Sequence, residues 1–169
     1  MNEFTEALTS KTKSDIIPED KNYFGQFVGA WKFDGEYLND KGELCTSKGE
    51  WVFSWILEGK AVQDVFIWPP RDERNKPLGD NEYGTTLRFY NPETEKWDII
   101  YSDNGVPVLL EADKSGENIV LTEKNEGKMQ WIFSDICENS FVWRSLYREE
   151  DGTVKQLAKL DVKRAAINN

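Results

Sequence analysis

From Gly29 to Lys163 the chain alternates apolar and polar residues with a period of two, in short runs separated by turn residues. Trp31, Phe33 and Tyr37 alternate with Lys32, Asp34 and Glu36; Trp51, Phe53 and Trp55 share one parity, as do Phe66 and Trp68, Trp131 and Phe133, and Phe141 and Trp143. A strand sends every second side chain to one face, so these runs build a sheet with one strongly aromatic side. That side must pack against something or surround something. After the runs at Trp31, Trp51 and Phe66, further strands are predicted at 83–90, 97–103, 106–112, 119–123, 128–135, 141–148 and 154–163, about ten strands in all with little room for helices. Turn residues such as Asn91-Pro92, Asn104-Gly105, Ser115-Gly116 and Asp151-Gly152 punctuate them.

Turn chemistry proposes the register. A three-residue hairpin loop closing on Gly42 sets Asn39 opposite Glu43, and hence Trp31 opposite Trp51 and Tyr37 opposite Cys45. A turn at Glu58-Gly59 sets Trp55 opposite Val62, Phe53 opposite Asp64 and Trp51 opposite Phe66. The aromatic faces agree in both hairpins, but Asp64 now lies among them. Pairing Tyr90 with Trp97 puts Arg88 on the face of Trp97, Ile99 and Tyr101, although a slip of one residue would send it to solvent. An Asp151-Gly152 turn pairs Glu150 with Thr153 and Trp143 with Leu160. It gathers Phe141, Trp143, Ser145, Tyr147, Gln156 and Ala158 on one face and the basic residues on the other. For Trp131 and Phe133 to join that inner face, the loop around Cys137 must hold an odd number of residues, such as 136–140.

An antiparallel meander of this length closes on itself, because closure removes exposed edges. The expected fold is therefore all-β, a ten-stranded up-and-down barrel in a single domain over residues 19–165. Residues 1–18 lack periodicity and read as a flexible arm with a weak helical turn near Phe4 to Leu8. Pro18-Glu19-Asp20 reads as the start of a short helix with Tyr23, Phe24, Phe27 and Val28 on one side. The charged, Pro-rich stretch 69–82 is the longest loop and a candidate lid.

Composition narrows the function. Aromatic residues are 13% of a chain whose hydrophobic residues total 38%, so the interior is built largely from large flat side chains. The net charge of −10 disfavours nucleic acid and anionic membrane as partners. There is no histidine, which removes the commonest general base and metal ligand. Cys45 and Cys137 form no ligand cluster, so no metal or cofactor is expected. Residues 1–19 show no apolar leader segment, and the default location is cytoplasmic.

Gly29-Ala30-Trp31 opens the first clear strand after the segment 23–28. This G-x-W pattern, with Gly49-Glu50-Trp51 to Val65 and Gly84-Thr85-Thr86-Leu87-Arg88-Phe89-Tyr90-Asn91-Pro92, resembles the lipocalin-like barrels of the calycin superfamily. The likeness is greatest to small bacterial members of unknown function and spans residues 23–164. It implies a Trp at the barrel base, with Lys163 or Arg164 stacked on it. Haem-binding relatives ligate iron through a histidine, which this chain lacks.

Candidate binding residues follow from the inward parity: Trp51, Phe53, Trp55, Asp64, Phe66, Trp68, Arg88, Trp97, Tyr101, Trp131, Phe133, Trp143 and Tyr147. The expected function is the binding of a small apolar or aromatic ligand inside the barrel, with Asp64 and Arg88 orienting its polar end. A histidine-free lyase or cyclase is the alternative, and it needs Asp64 within reach of an interior polar group such as Arg88 or Tyr101. A module that acts by dimerising is the third reading. Each candidate also has a plainer role: Asp64 paired with an interior Arg, the tyrosines and tryptophans as core filling.

Overall fold

The computed structural model describes residues 2–166. A helix, α1 (Glu3–Leu8), and a two-residue strand, β1 (Thr9–Ser10), precede the barrel strands β2 (Gly29–Leu38), β3 (Leu44–Ile56), β4 (Ala61–Trp68), β5 (Glu82–Asn91) and β6 (Lys96–Ser102). The meander continues through β7 (Val108–Ser115), β8 (Asn118–Glu123), β9 (Met129–Ser134), β10 (Ser140–Arg148) and β11 (Val154–Arg164). Each strand from β2 to β11 pairs antiparallel with the next, and β11 pairs with β2, which closes a ten-stranded barrel.

The hairpin registers follow the aromatic parity. Trp31 lies opposite Trp51 and Tyr37 opposite Cys45. Trp51 faces Phe66 and Phe53 faces Asp64, and Tyr90 faces Trp97. Phe133 pairs with Trp143 and Trp131 with Ser145, as an odd loop at 136–140 requires. The first hairpin loop is closed by the Asn39 N–H donating to the Glu43 carbonyl at 3.0 Å, with Gly42 at φ +75° supplying the left-handed residue.

The last hairpin differs from its expected form at two places. Its loop holds three residues, closed by the Glu149 N–H donating to the Thr153 carbonyl at 2.8 Å. A β-bulge between Ser145 and Leu146 then restores the register, so that Trp143 still faces Leu160. Above the bulge Tyr147 pairs with Lys155 rather than Gln156.

The segment before the barrel is held against it. β1 pairs with Trp55 and Ile56 on the edge of β3 that β2 leaves free, since β2 begins at Gly29 opposite Phe53. The Ser14 N–H donates to the Gly59 carbonyl at 3.0 Å. Gly59, at φ +80°, sits so close to Thr12 that a Cβ would lie 2.1 Å from its carbonyl oxygen. Ile17 is fully buried. The helix expected from Pro18 resolves into two short 3-10 turns, Glu19–Lys21 and Gly25–Phe27. The break falls at Asn22, whose backbone leaves the helical region at φ −75° and ψ 63°, and Gly25 opens the second turn where a Cβ would come within 2.5 Å of Trp55.

These two turns plug one end of the barrel. The Trp31 indole donates to the Phe27 carbonyl at 2.7 Å, and the Trp97 indole donates to the Lys21 carbonyl at 2.9 Å. Phe24 meets Trp97 edge-on, and Phe27 packs against Trp31, Phe53, Phe133 and Phe141. The Arg164 guanidinium lies 4.0 Å from the Trp31 ring centroid and donates to the carbonyls of Glu138, Val28 and Gln26. One cation thus ties the last strand, a loop and the plug together over an aromatic face.

Candidate functional site

Above the plugged base the barrel is not filled. A cavity of about 290 Å³ opens toward the other end. Its walls are mainly aromatic: Trp51, Phe66, Trp68, Tyr101, Trp131 and Trp143, with Tyr37 at the end of β2. Neighbouring rings brace one another. Trp131 lies 5.8 Å from Trp143 and meets Tyr101 edge-on at 5.2 Å, and Trp51 meets Trp143 at 6.1 Å. Ala158, Leu160, Leu157 and Met129 complete the apolar lining, and Ser47, Thr86 and Ser145 add hydroxyls. Residues 69–81 flank the mouth. Tyr37 donates to Asp80 at 3.0 Å, and Arg74 donates to the carbonyls of Trp68, Pro69 and Glu82.

Two charged side chains line this cavity, Glu82 and Arg88. The charge of Arg88 is matched by Asp64. Arg88 Nη2 lies 2.6 Å from Asp64 Oδ2, with both side chains almost completely buried. The two residues meet diagonally across β4 and β5, because Asp64 pairs with Thr86 and Val62 with Arg88. Asp64 Oδ1 accepts from the Thr86 N–H at 3.2 Å. The contact is an ion pair rather than an aligned hydrogen bond, and among the described residues Arg88 Nε and Nη1 find no acceptor. The guanidinium instead lies over the rings of Phe24 and Phe53, at 4.9 and 5.2 Å. The Arg88–Asp64 pair therefore forms the boundary between packed base and open cavity.

Among the described residues Glu82 has no such counter-charge. Its carboxylate accepts from the Tyr101 hydroxyl and from the Trp68 indole at 3.1 Å. Burial is the main force holding its pKa above the ordinary carboxylate value, against the lowering effect of these two hydrogen bonds, and the charges of Asp103 and Asp64 add to it. Burial and the nearby Glu82 charge push the Tyr101 phenol far up, so it stays a donor.

Glu82's raised pKa has a consequence for stability. A carboxyl whose pKa is raised on folding stabilises fully below its unfolded pKa, and that contribution is lost as pH rises through the folded value. Glu82→Gln stays neutral and is expected to unfold at a higher urea concentration than the parent at pH 7, with the gap closing on acidification. An equal or lower midpoint at pH 7, read by tryptophan fluorescence, would show that the carboxylate is not strained there.

Of the expected binding residues, Trp51, Phe66, Trp68, Arg88, Tyr101, Trp131 and Trp143 line the cavity. Asp64 stands behind Arg88. Phe53, Trp97 and Phe133 belong to the packed base around Phe24 and Phe27, and Trp55 packs against Gly25 there. Tyr147 keeps the parity of Ser145 and pairs with the lining residue Met129, but does not itself line the cavity. Asp64 reaches Arg88, as a catalytic pair would need, whereas Tyr101 holds Glu82. Sequence reasoning missed Tyr37, Ser47, Thr86, Met129, Leu157 and, above all, Glu82. The signal for Glu82 was its shared parity with Thr86 and Arg88 on β5.

No protein-family model matches the chain, and no curated protein matches it. Among solved structures, the crystal structure of Rv2717c from M. tuberculosis is similar, with a TM-score of 0.62 at 10% sequence identity over 92% of this chain and 100% of that one. At that identity the likeness shows the fold alone. Among the described residues no helix is long and apolar enough to cross a membrane.

Proposed function

We propose that the barrel is a calycin-like carrier that binds one small, largely apolar molecule in its aromatic cavity. The observation that carries this reading is the division of the interior. The base is packed with interlocking rings, as protein interiors ordinarily are, while a space of about 290 Å³ at the other end is left unfilled. Concave, mainly apolar walls with a few polar groups are the ordinary form of a small-molecule site. The cation over Trp31 at the barrel base, and Gly29-Ala30-Trp31 before it, support the calycin-like reading.

N-phenyl-1-naphthylamine, a neutral fluorescent probe, is expected to bind saturably and with one-to-one stoichiometry. Ala158 lines the cavity beside Ser145, so Ala158→Phe places a ring in the space and is expected to weaken the probe about tenfold or more. Unsaturable binding, or equal affinity in Ala158→Phe, would place the probe elsewhere and count against the reading.

A further inference from the structure

We infer that the cavity selects a small organic cation, an ammonium head on an apolar or aromatic body, with Glu82 as its counter-charge. This rests on the reading of the cavity as a ligand site and adds the charge of what enters it.

The charges around the cavity do not balance. Arg88 is matched by Asp64 at 2.6 Å, so that pair offers no net positive charge to an anion. Glu82 takes part in none of the ion pairs formed among the described residues. Its partners, Tyr101 and Trp68, are neutral donors. Each carboxylate oxygen keeps lone-pair capacity beyond the one bond it accepts. A neutral ligand would leave this carboxylate uncompensated in a largely apolar wall, and an anionic ligand would be repelled by it.

The walls carry the same preference. The faces of Trp and Tyr rings are electron-rich and attract ammonium groups, an attraction that strengthens when water is displaced. Trp68 and Tyr101 both line the cavity and both donate to Glu82. The carboxylate and these two rings therefore lie in the same part of the cavity, near the mouth. At longer range the net charge of −10 raises the local concentration of cations rather than anions.

Binding should also depend on pH. The groups facing Glu82 are Tyr101 and Asp103 from β6 and its following turn, and Trp68 and Asp64 from β4. Arg74 reaches the Glu82 carbonyl, and Arg88 on β5 is engaged by Asp64. A cation favours ionised Glu82, so its affinity falls as pH drops through the raised pKa of that carboxyl.

Three probes of similar shape test the inference by tryptophan fluorescence titration: benzyltrimethylammonium, its neutral isostere neopentylbenzene, and anionic phenylacetate. The cation is expected to bind about tenfold or more tightly than the neutral isostere at pH 7, with phenylacetate weakest. In Glu82→Gln the cation-to-neutral affinity ratio is expected to fall toward one. A neutral isostere that binds as tightly as the cation overturns the inference and leaves the cavity standing as a ligand site. A preference unchanged in Glu82→Gln overturns it too. Failure of all three probes while N-phenyl-1-naphthylamine still binds overturns the inference alone, and failure of that probe as well overturns both. The parent comparison alone decides the matter if Glu82→Gln does not fold.

Discussion

Replacing Arg88 by methionine is expected to lower unfolding free energy by about 3–5 kcal/mol, measured by urea denaturation, because it strands a buried carboxylate. Asp64 is 1% exposed, and without the guanidinium its one remaining hydrogen bond comes from the Thr86 N–H at 3.2 Å. Asp64→Leu should cost a similar amount by leaving Arg88 buried between Phe24 and Phe53 without its counter-ion. The double variant Asp64→Leu/Arg88→Met should end within about 2 kcal/mol of the parent, or above it, because an apolar pair avoids the desolvation of both charges. A buried pair is weak evidence for net stability, whereas a broken one is costly. Single variants that each lose less than about 1 kcal/mol would show that water reaches this site.

Phe27→Ala is the second large effect. The Phe27 ring packs against Phe24, Trp31, Phe53, Phe133 and Phe141 at centroid distances from 4.8 to 6.4 Å. It therefore joins the plug to four strands at once. Truncation is expected to remove about 3–5 kcal/mol, or about 10 °C in Tm for a domain of this size. The Trp31 indole bond to the Phe27 carbonyl at 2.7 Å uses the backbone and survives the change, so the loss isolates packing. A fall in Tm of less than about 2 °C would mean that the plug does not close the barrel base.

Much of the barrel was legible because parity and turn chemistry constrain one another. Trp31 opposite Trp51 and Trp51 opposite Phe66 each follow from a loop length and are checked by which face turns out aromatic. The height of a residue along the barrel axis was not legible. Phe53 and Trp51 point the same way, yet Phe53 is consumed by the plug and Trp51 reaches the cavity. Periodicity reports a face, and the depth to which residues 19–28 enter depends on packing that no single strand encodes. Leu157 was missed because it is the extra residue of the bulge on β11, opposite Ser145 and Leu146, and such a bulge leaves no compositional trace. Glu82 was missed because it ends a charged loop and reads locally as one more solvated acid. Only its two-residue spacing from Gly84, Thr86 and Arg88 shows that it already belongs to the inward face of β5. The pairing of Asp64 with Arg88 needed the registers of β4 and β5 together, since the two side chains meet on the diagonal.

The most direct measurement is a crystal structure of the protein grown with benzyltrimethylammonium. It should show the probe between Trp131, Trp143 and Phe66 with its ammonium head toward Glu82, and the Trp51 and Phe133 rings unmoved beneath it. An interior closed by collapsed side chains, with no probe inside the barrel, would contradict the central claim that this cavity is a ligand site.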